Sequence, residues 1–170
     1  MIAWLHRGFT LIELMVSMTI AIILLLLAVP GYTVWVADSE IRNAAQSVAG
    51  GLRYAQAIAI SRNLNAQFVL GATGWTVAMV DTPLVPVQSA TLNEGSRHVT
   101  LTATPVGATT VAFNALGQTV TDPANLVQVD VTLPTLAGVR PLRVAIGNLL
   151  TGVKLCDPYF TDPKDPKTCP

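Results

Sequence analysis

Residues 8–37 read GFTLIELMVSMTIAIILLLLAVPGYTVWVA, and Glu13 is the only charge among them. From Leu14 to Ala37 there are 24 consecutive uncharged residues, including Ile22-Ile23-Leu24-Leu25-Leu26-Leu27. As a helix this run spans ~36 Å, enough for the ~30 Å hydrocarbon core of a bilayer. Arg7 stands just before it, and the first charges after it are acidic, Asp38 and Glu40. That asymmetry predicts a cytoplasmic N-terminus and an exported remainder.

Three kinds of segment could carry such a run. A secretory signal peptide needs a short apolar core and a small-x-small cleavage site at its end. Here the run is too long, and Trp35-Val36-Ala37 puts a bulky residue where a small one is wanted. A plain single-span anchor gives no account of Glu13. A carboxylate in lipid costs at least a few kcal/mol, so it is normally partnered and functional.

The third kind accounts for both features. Gly8-Phe9-Thr10-Leu11-Ile12-Glu13-Leu14-Met15-Val16 resembles the type IV prepilin signature closely. The resemblance implies that a membrane prepilin peptidase cuts after Gly8 and N-methylates the new first residue, Phe9. Glu13 then matches the family's buried glutamate. The chemistry fits: cleavage frees an amine on Phe9, and Glu13, four residues on, shares its helix face. The positive end of the helix dipole also favours an anion in the first turn. In a filament Glu13 is expected to pair with the Phe9 amine of its own or a neighbouring subunit, penalising misregistered assembly. Pro30, followed by Gly31, is the twenty-second residue after the expected cut. Pilins often have a proline there, and a membrane helix tolerates it as a kink.

Apolar periodicity resumes beyond Pro30. Ile41, Ala45, Val48, Leu52, Ala55 and Ala59 recur at alternating spacings of four and three, while Glu40, Arg42, Gln46, Arg53 and Gln56 lie off that stripe. Gly50-Gly51 weakens the stretch locally. A helix from Phe9 to about Arg62 is expected, its second half packed on its own sheet.

From Asn65 the texture changes. Short β-branched and apolar runs predict strands at Ala66–Leu70, Trp75–Val80, His98–Ala103, Thr110–Phe113, Gln118–Thr121, Val127–Leu133, Arg140–Ile146 and Gly152–Cys156. Thr82–Pro86 reads as a loop or edge. No strand alternates with a helix, so the expected class is α+β: a long N-terminal helix kinked at Pro30, with an antiparallel β-sheet domain packed on its second half. The expected divisions are a leader at 1–8, a transmembrane or filament-core half-helix at 9–37, a periplasmic half-helix at 38–63 and a β-rich domain at 64–170.

Three further segments resemble the GspH/FimT-like minor pilins and pseudopilins. They are the helix end Arg53–Arg62, the F-x-x-x-G turn Phe113–Gly117, and a final hairpin from Arg143–Ile146 to Thr151–Cys156. The resemblance implies a structural minor pilin or pseudopilin. Such a subunit helps initiate or cap a type II secretion pseudopilus or a type IV pilus. Its implied partners are other pilin subunits, prepilin peptidase, the inner membrane and the assembly platform. Its implied location is the inner membrane, crossed once with the C-terminal domain in the periplasm, and the filament after assembly.

Composition narrows the remaining possibilities. Lys and Arg number 10 and Asp and Glu 10, so net charge is zero and offers no general attraction to nucleic acid. His6 and His98 are the only histidines, and there is no G-x-S-x-G, which excludes most metal and Ser-His-Asp arrangements. Gly147–Lys154 resembles a phosphate-binding loop superficially, but Val153 separates the glycine from the lysine and no helix follows. No enzyme, metal or cofactor is expected. Cys156 and Cys169, the only two cysteines, flank one loop. In an exported domain a disulfide worth ~3 kcal/mol is expected, with free thiols as the alternative. Asp157, Asp162 and Asp165 each precede a proline; Ca²⁺ ligation is conceivable, but turn initiation suits the pattern better.

Some FimT-like minor pilins take up DNA in natural transformation through a basic C-terminal segment. Here the equivalent, Gly152-Val153-Lys154-Leu155, holds one cation. Phosphate binding needs several clustered cations, and nearby Arg140, Arg143, Lys164 and Lys167 are offset by three aspartates. A DNA receptor is therefore the alternative function, and nucleic acid is not an expected partner.

Overall fold

The computed structural model describes residues 9–80, 86–92, 95–96, 98–122, 124–147, 152–162 and 164–169, with the side chains at 28 and 30 excluded. Gly8, the rest of the leader and most of the Thr82–Pro86 stretch lie outside this set. The chain forms two compact units, Met1–Val36 and Ala37–Pro170. One helix, α1 (Leu11–Arg62), contributes to both.

Local chemistry sets both ends of α1. At the start, the Glu13 amide donates to Thr10 Oγ1 at 3.3 Å, the pattern of an N-cap. At the end, Asn63 adopts a left-handed φ of 52°, and the Leu64 amide reaches back to the Ala59 carbonyl at 3.2 Å. This is a Schellman closure, with Asn as the side chain that best tolerates positive φ after Gly.

Among the described residues eight strands follow: β1 (Ala66–Leu70), β2 (Gly74–Met79), β3 (Pro86–Thr91), β4 (Thr100–Thr104), β5 (Thr110–Phe113), β6 (Gln128–Thr132), β7 (Leu142–Ile146) and β8 (Val153–Cys156). They form two four-stranded sheets, ordered β3-β2-β1-β5 and β4-β6-β7-β8, with every pairing antiparallel. The α+β class stands, but the sheet is divided. β3 was not expected as a strand: it is an edge, mostly exposed, and opens on a proline, so it lacks an alternating apolar signal. Gln118–Thr121 forms only an isolated bridge, Thr119 to Phe113, and His98 lies in a turn before β4.

The predicted helix stripe is the spine of the core. Ile41, Ala45, Val48, Leu52, Ala55 and Ala59 are each no more than 1% exposed. They join one buried cluster with Phe68, Val77, Val111 and Phe113 from the first sheet and Val129, Val131 and Val144 from the second. Ala44, Ala45, Ala49, Ala55 and Ala59 keep this face thin, so the helix axis can lie close to the strands while retaining high helix propensity. Gly51 continues the thin face. A Cβ there would stand 2.7 Å from the Trp75 ring, whose Nε1 donates to Ser47 Oγ at 3.0 Å. The Trp75 ring stacks on Phe68 with centroids 5.9 Å apart. The glycine that weakens the helix on propensity is thus the seat of the largest core aromatic.

Two of the short motifs meet at the helix end. Gln56 Nε2 donates to the Gly117 carbonyl at 2.8 Å, and Gly117 packs on Ile60. The Asn114 carboxamide oxygen accepts from the Leu116 and Gln118 amides at 3.0 and 2.9 Å, closing the turn. Gly117 has φ +76°, and a Cβ on it would lie 2.7 Å from Ile60 Cδ1; Gly107, at φ +85°, faces open space. Gly117→Ala and Gly107→Ala should each lose about 1 kcal/mol to backbone strain. Gly117→Ala should lose about 1 kcal/mol more through the Ile60 overlap. Denaturant midpoints of the two variants check this; equal losses would show that the turn does not bear on the helix.

Candidate assembly site

Phe9 and Thr10 immediately precede α1, and Glu13 lies in its first turn. Phe9 is 82% exposed, and Glu13 is also exposed. Thr10 and Glu13 have the T-x-x-E spacing of a capping box, and the cap bond from the Glu13 amide is present. Thr10 therefore fixes where the helix begins, and with it the position of Glu13 in the first turn. Sequence reading overlooked Thr10, although the spacing was available to signal it.

Beyond this turn the helix is apolar on every side. Leu11, Ile12, Leu14, Met15, Met18, Ile22, Ile23 and Leu24 to Leu27 are all more than half exposed. A helix that is hydrophobic all round calls for lipid or packed neighbours. Its few polar side chains are satisfied internally: Ser17 Oγ donates to the Leu14 carbonyl at 2.9 Å, and Thr19 Oγ1 to the Met15 carbonyl at 2.8 Å. Tyr32 and Trp35 follow near its end, 65% and 66% exposed, with centroids 6.1 Å apart. Among the described residues no single helix is long and apolar enough to cross a membrane. Leu11–Leu27 and Gly31–Arg62 pass together as a bent pair, by length and composition, with the break where the sequence has Pro30.

The remaining candidate residues sit in the β-rich unit. Cys156 and Cys169 are joined by a disulfide with Cα atoms 5.1 Å apart. It closes a tail pinned by the Asp157 amide, which donates to the Lys167 carbonyl at 2.9 Å. Asp157, Asp162 and Asp165 each accept from the amide two residues on, at 2.8–2.9 Å, so each organises its own turn. Among the described residues no group of three or more His, Cys, Asp or Glu could hold a metal ion.

Two of the tail-side cations are already engaged. Arg143 donates two bonds to the Asp130 carboxylate, at 2.6 and 3.0 Å, across the β6–β7 register. This hydrogen bonding raises the Arg143 pKa further above its ordinary value. Lys154 Nζ donates to the Thr168 carbonyl at 2.8 Å. The cation of the segment compared with DNA-binding relatives is thus tying down the tail. Arg53 reaches the same hairpin from α1, donating to the Val153 carbonyl at 3.1 Å.

The model of the family described as Type II transport protein GspH matches residues 44–149, and that of the prokaryotic N-terminal methylation motif matches residues 5–29. The chain belongs to the GspH family. The family match takes in α1 from Ala44 on, the F-x-x-x-G turn and strands β1 to β7; the methylation motif takes in the capped first turn. Among solved structures the chain resembles the minor pseudopilin EpsH from the type 2 secretion system of Vibrio cholerae. Identity is 15% and TM-score 0.54, over 71% of this chain and 99% of that one. It also matches the type IV minor pilin FimU of Pseudomonas aeruginosa, with 17% identity and TM-score 0.46 over 62% of this chain and 82% of that one. No curated protein sequence matches. GspH-family chains are structural pilin and pseudopilin subunits, and this member shares their fold.

The cap gives a direct expectation for this GspH-family chain. Thr10→Ala should cost the first turn about 1 kcal/mol, while Thr10→Ser keeps the acceptor. Hydrogen exchange at the Leu11 to Leu14 amides of the full chain should be several-fold faster in the alanine variant only. Unchanged protection would show that the cap does not set the helix start.

Proposed function

We propose that this chain is a minor subunit of a type II secretion pseudopilus or a type IV pilus, acting where the filament initiates or at its tip. Prepilin peptidase cuts it after Gly8 and methylates Phe9. Before assembly the segment 9–37 anchors it in the inner membrane, N-terminus cytoplasmic and β-rich domain periplasmic. During assembly the same segment leaves lipid and packs among the helices of other subunits on the assembly platform.

One observation carries this proposal. The part of α1 before Ala37, exposed and apolar on every side, holds a single carboxylate, in a capped first turn, four residues from the expected new amine. Apolar faces on all sides need a surrounding phase, and both lipid and a bundle of like helices provide one. Neither solvates an unpaired carboxylate, so the acid must find the amine of its own or a neighbouring chain. Pro30 is compatible with the same account, because membrane helices tolerate a proline as a kink. The division of the chain between Val36 and Ala37 separates this segment from the domain that a filament would display. The alternative of a DNA receptor receives less support, since Arg143 and Lys154 are committed within the domain.

Glu13→Ala should enter the membrane and be processed at wild-type level, yet its recovery in sheared or pelleted filaments should fall about tenfold or more, given the cost of leaving one partner of a buried ion pair alone. Immunoblots of membrane and filament fractions measure both quantities. Wild-type incorporation of Glu13→Ala would overturn the pairing role.

A further inference from the structure

The Ala37–Pro170 unit contains a cleft of about 270 Å³ between the early turns of its helix, the β7–β8 hairpin and the disulfide-closed tail. Its apolar lining comes from Ile41, Leu142, Leu155 and Phe160. Three cations border it, Arg42 from α1, Arg140 from the approach to β7 and Lys167 from the tail; so do two acids, Asp38 and Asp157. Lys167 Nζ lies 5.7 Å from the centroid of the Phe160 ring. Among the described residues Arg42 and Arg140 form no salt bridge, in contrast to Arg143 with its two bonds to Asp130. Two guanidinium groups that line one cleft and form no salt bridge are an arrangement suited to a phosphate, which guanidinium binds in a fork.

We infer that this cleft holds the headgroup of a zwitterionic phospholipid, its phosphate against Arg42, Arg140 and Lys167 and its amine against Asp38. This rests on the proposal that segment 9–37 is membrane-anchored. Three observations select this occupant. The cleft carries both signs of charge, as a phosphate joined to an amine requires, whereas a purely anionic ligand would leave Asp38 opposed. Its volume falls below that of sites enclosing drug-sized molecules and suits a small headgroup better than a stretch of peptide. Tyr32 and Trp35, exposed at the end of the apolar run, are the residue types that settle at the membrane–water interface.

In this role the tail disulfide gains a use. By closing the segment from Cys156 to Cys169 it holds Lys167 and Phe160 as one wall of the cleft. Asp157 is 7% exposed and accepts the Tyr159 amide, so it shapes that wall from within. Asp38 remains as the acid suited to an amine.

The test uses the full processed chain in nanodiscs of phosphatidylethanolamine, with lipid retention after detergent extraction read by native mass spectrometry. Wild type should retain one lipid, and Arg42→Gln and Arg140→Gln should each weaken retention about fivefold, as expected for a cation near a lipid surface. Asp38→Asn should abolish the preference for phosphatidylethanolamine over phosphatidic acid, which has the phosphate without the amine. Equal retention by wild type and the double arginine variant would overturn the inference. So would inorganic phosphate, or an acidic peptide, displacing the lipid at equal concentration. Flotation of the same samples separates the two claims: a chain that floats with the discs but retains no lipid defeats the cleft alone, whereas a chain that fails to float defeats the anchoring on which it rests. Circular dichroism of each variant confirms the fold.

Discussion

A carboxylate cannot remain charged and alone in apolar surroundings. In the proposed filament that constraint governs everything the first thirty residues after the cut do. The helix from Leu11 to Val36 presents apolar side chains in all directions, so by itself it has no preferred neighbour and no preferred depth. Dispersion and exclusion from water would let it slide. Glu13 removes that freedom, because only a position that brings an amine to it avoids the penalty. Thr10 contributes by fixing the helix start, so that the acid always occupies the same place relative to the chain end.

The domain that follows solves a different problem. In the proposed cycle it must stay folded while the apolar segment changes surroundings, and α1 contributes to both units. The thin, alanine-rich face of residues 44–59 allows both sheets to bury against one helix. Contacts at discrete points then fix the helix against rotation. Trp75 lies flat on Gly51, Gln56 and Ile60 hold the Gly117 turn, and Arg53 reaches the final hairpin. Each uses a residue type that a core of plain apolar side chains could not replace.

The helix, its end at Arg62 and most strands were legible because their signals are local. Alternating spacings of four and three put Ile41 through Ala59 on one face, and β1 and β5 have strong β-branched and aromatic runs between turn residues. Failures occurred where tertiary context decides. β3 has an exposed edge and a leading proline, so nothing in its composition announces a strand; its pairing with β2 supplies the order. The split into two sheets depends on which strands find each other across long loops, and no residue encodes that alone. Gly51 looked like a weakness because propensity sees only the helix, whereas the Trp75 ring comes from 24 residues away in sequence. At the assembly site Glu13 stood out as a lone charge. Thr10 did not, because an exposed threonine is ordinary until its oxygen is seen facing the Glu13 amide.

In the proposed working protein the apolar helix follows a new amine at Phe9, and intact mass spectrometry of the protein recovered from native membranes is the direct test. The mass should correspond to a chain beginning at Phe9 and carrying one methyl group. A chain that retains Met1, or one trimmed near residue 37 and released into solution, would contradict it.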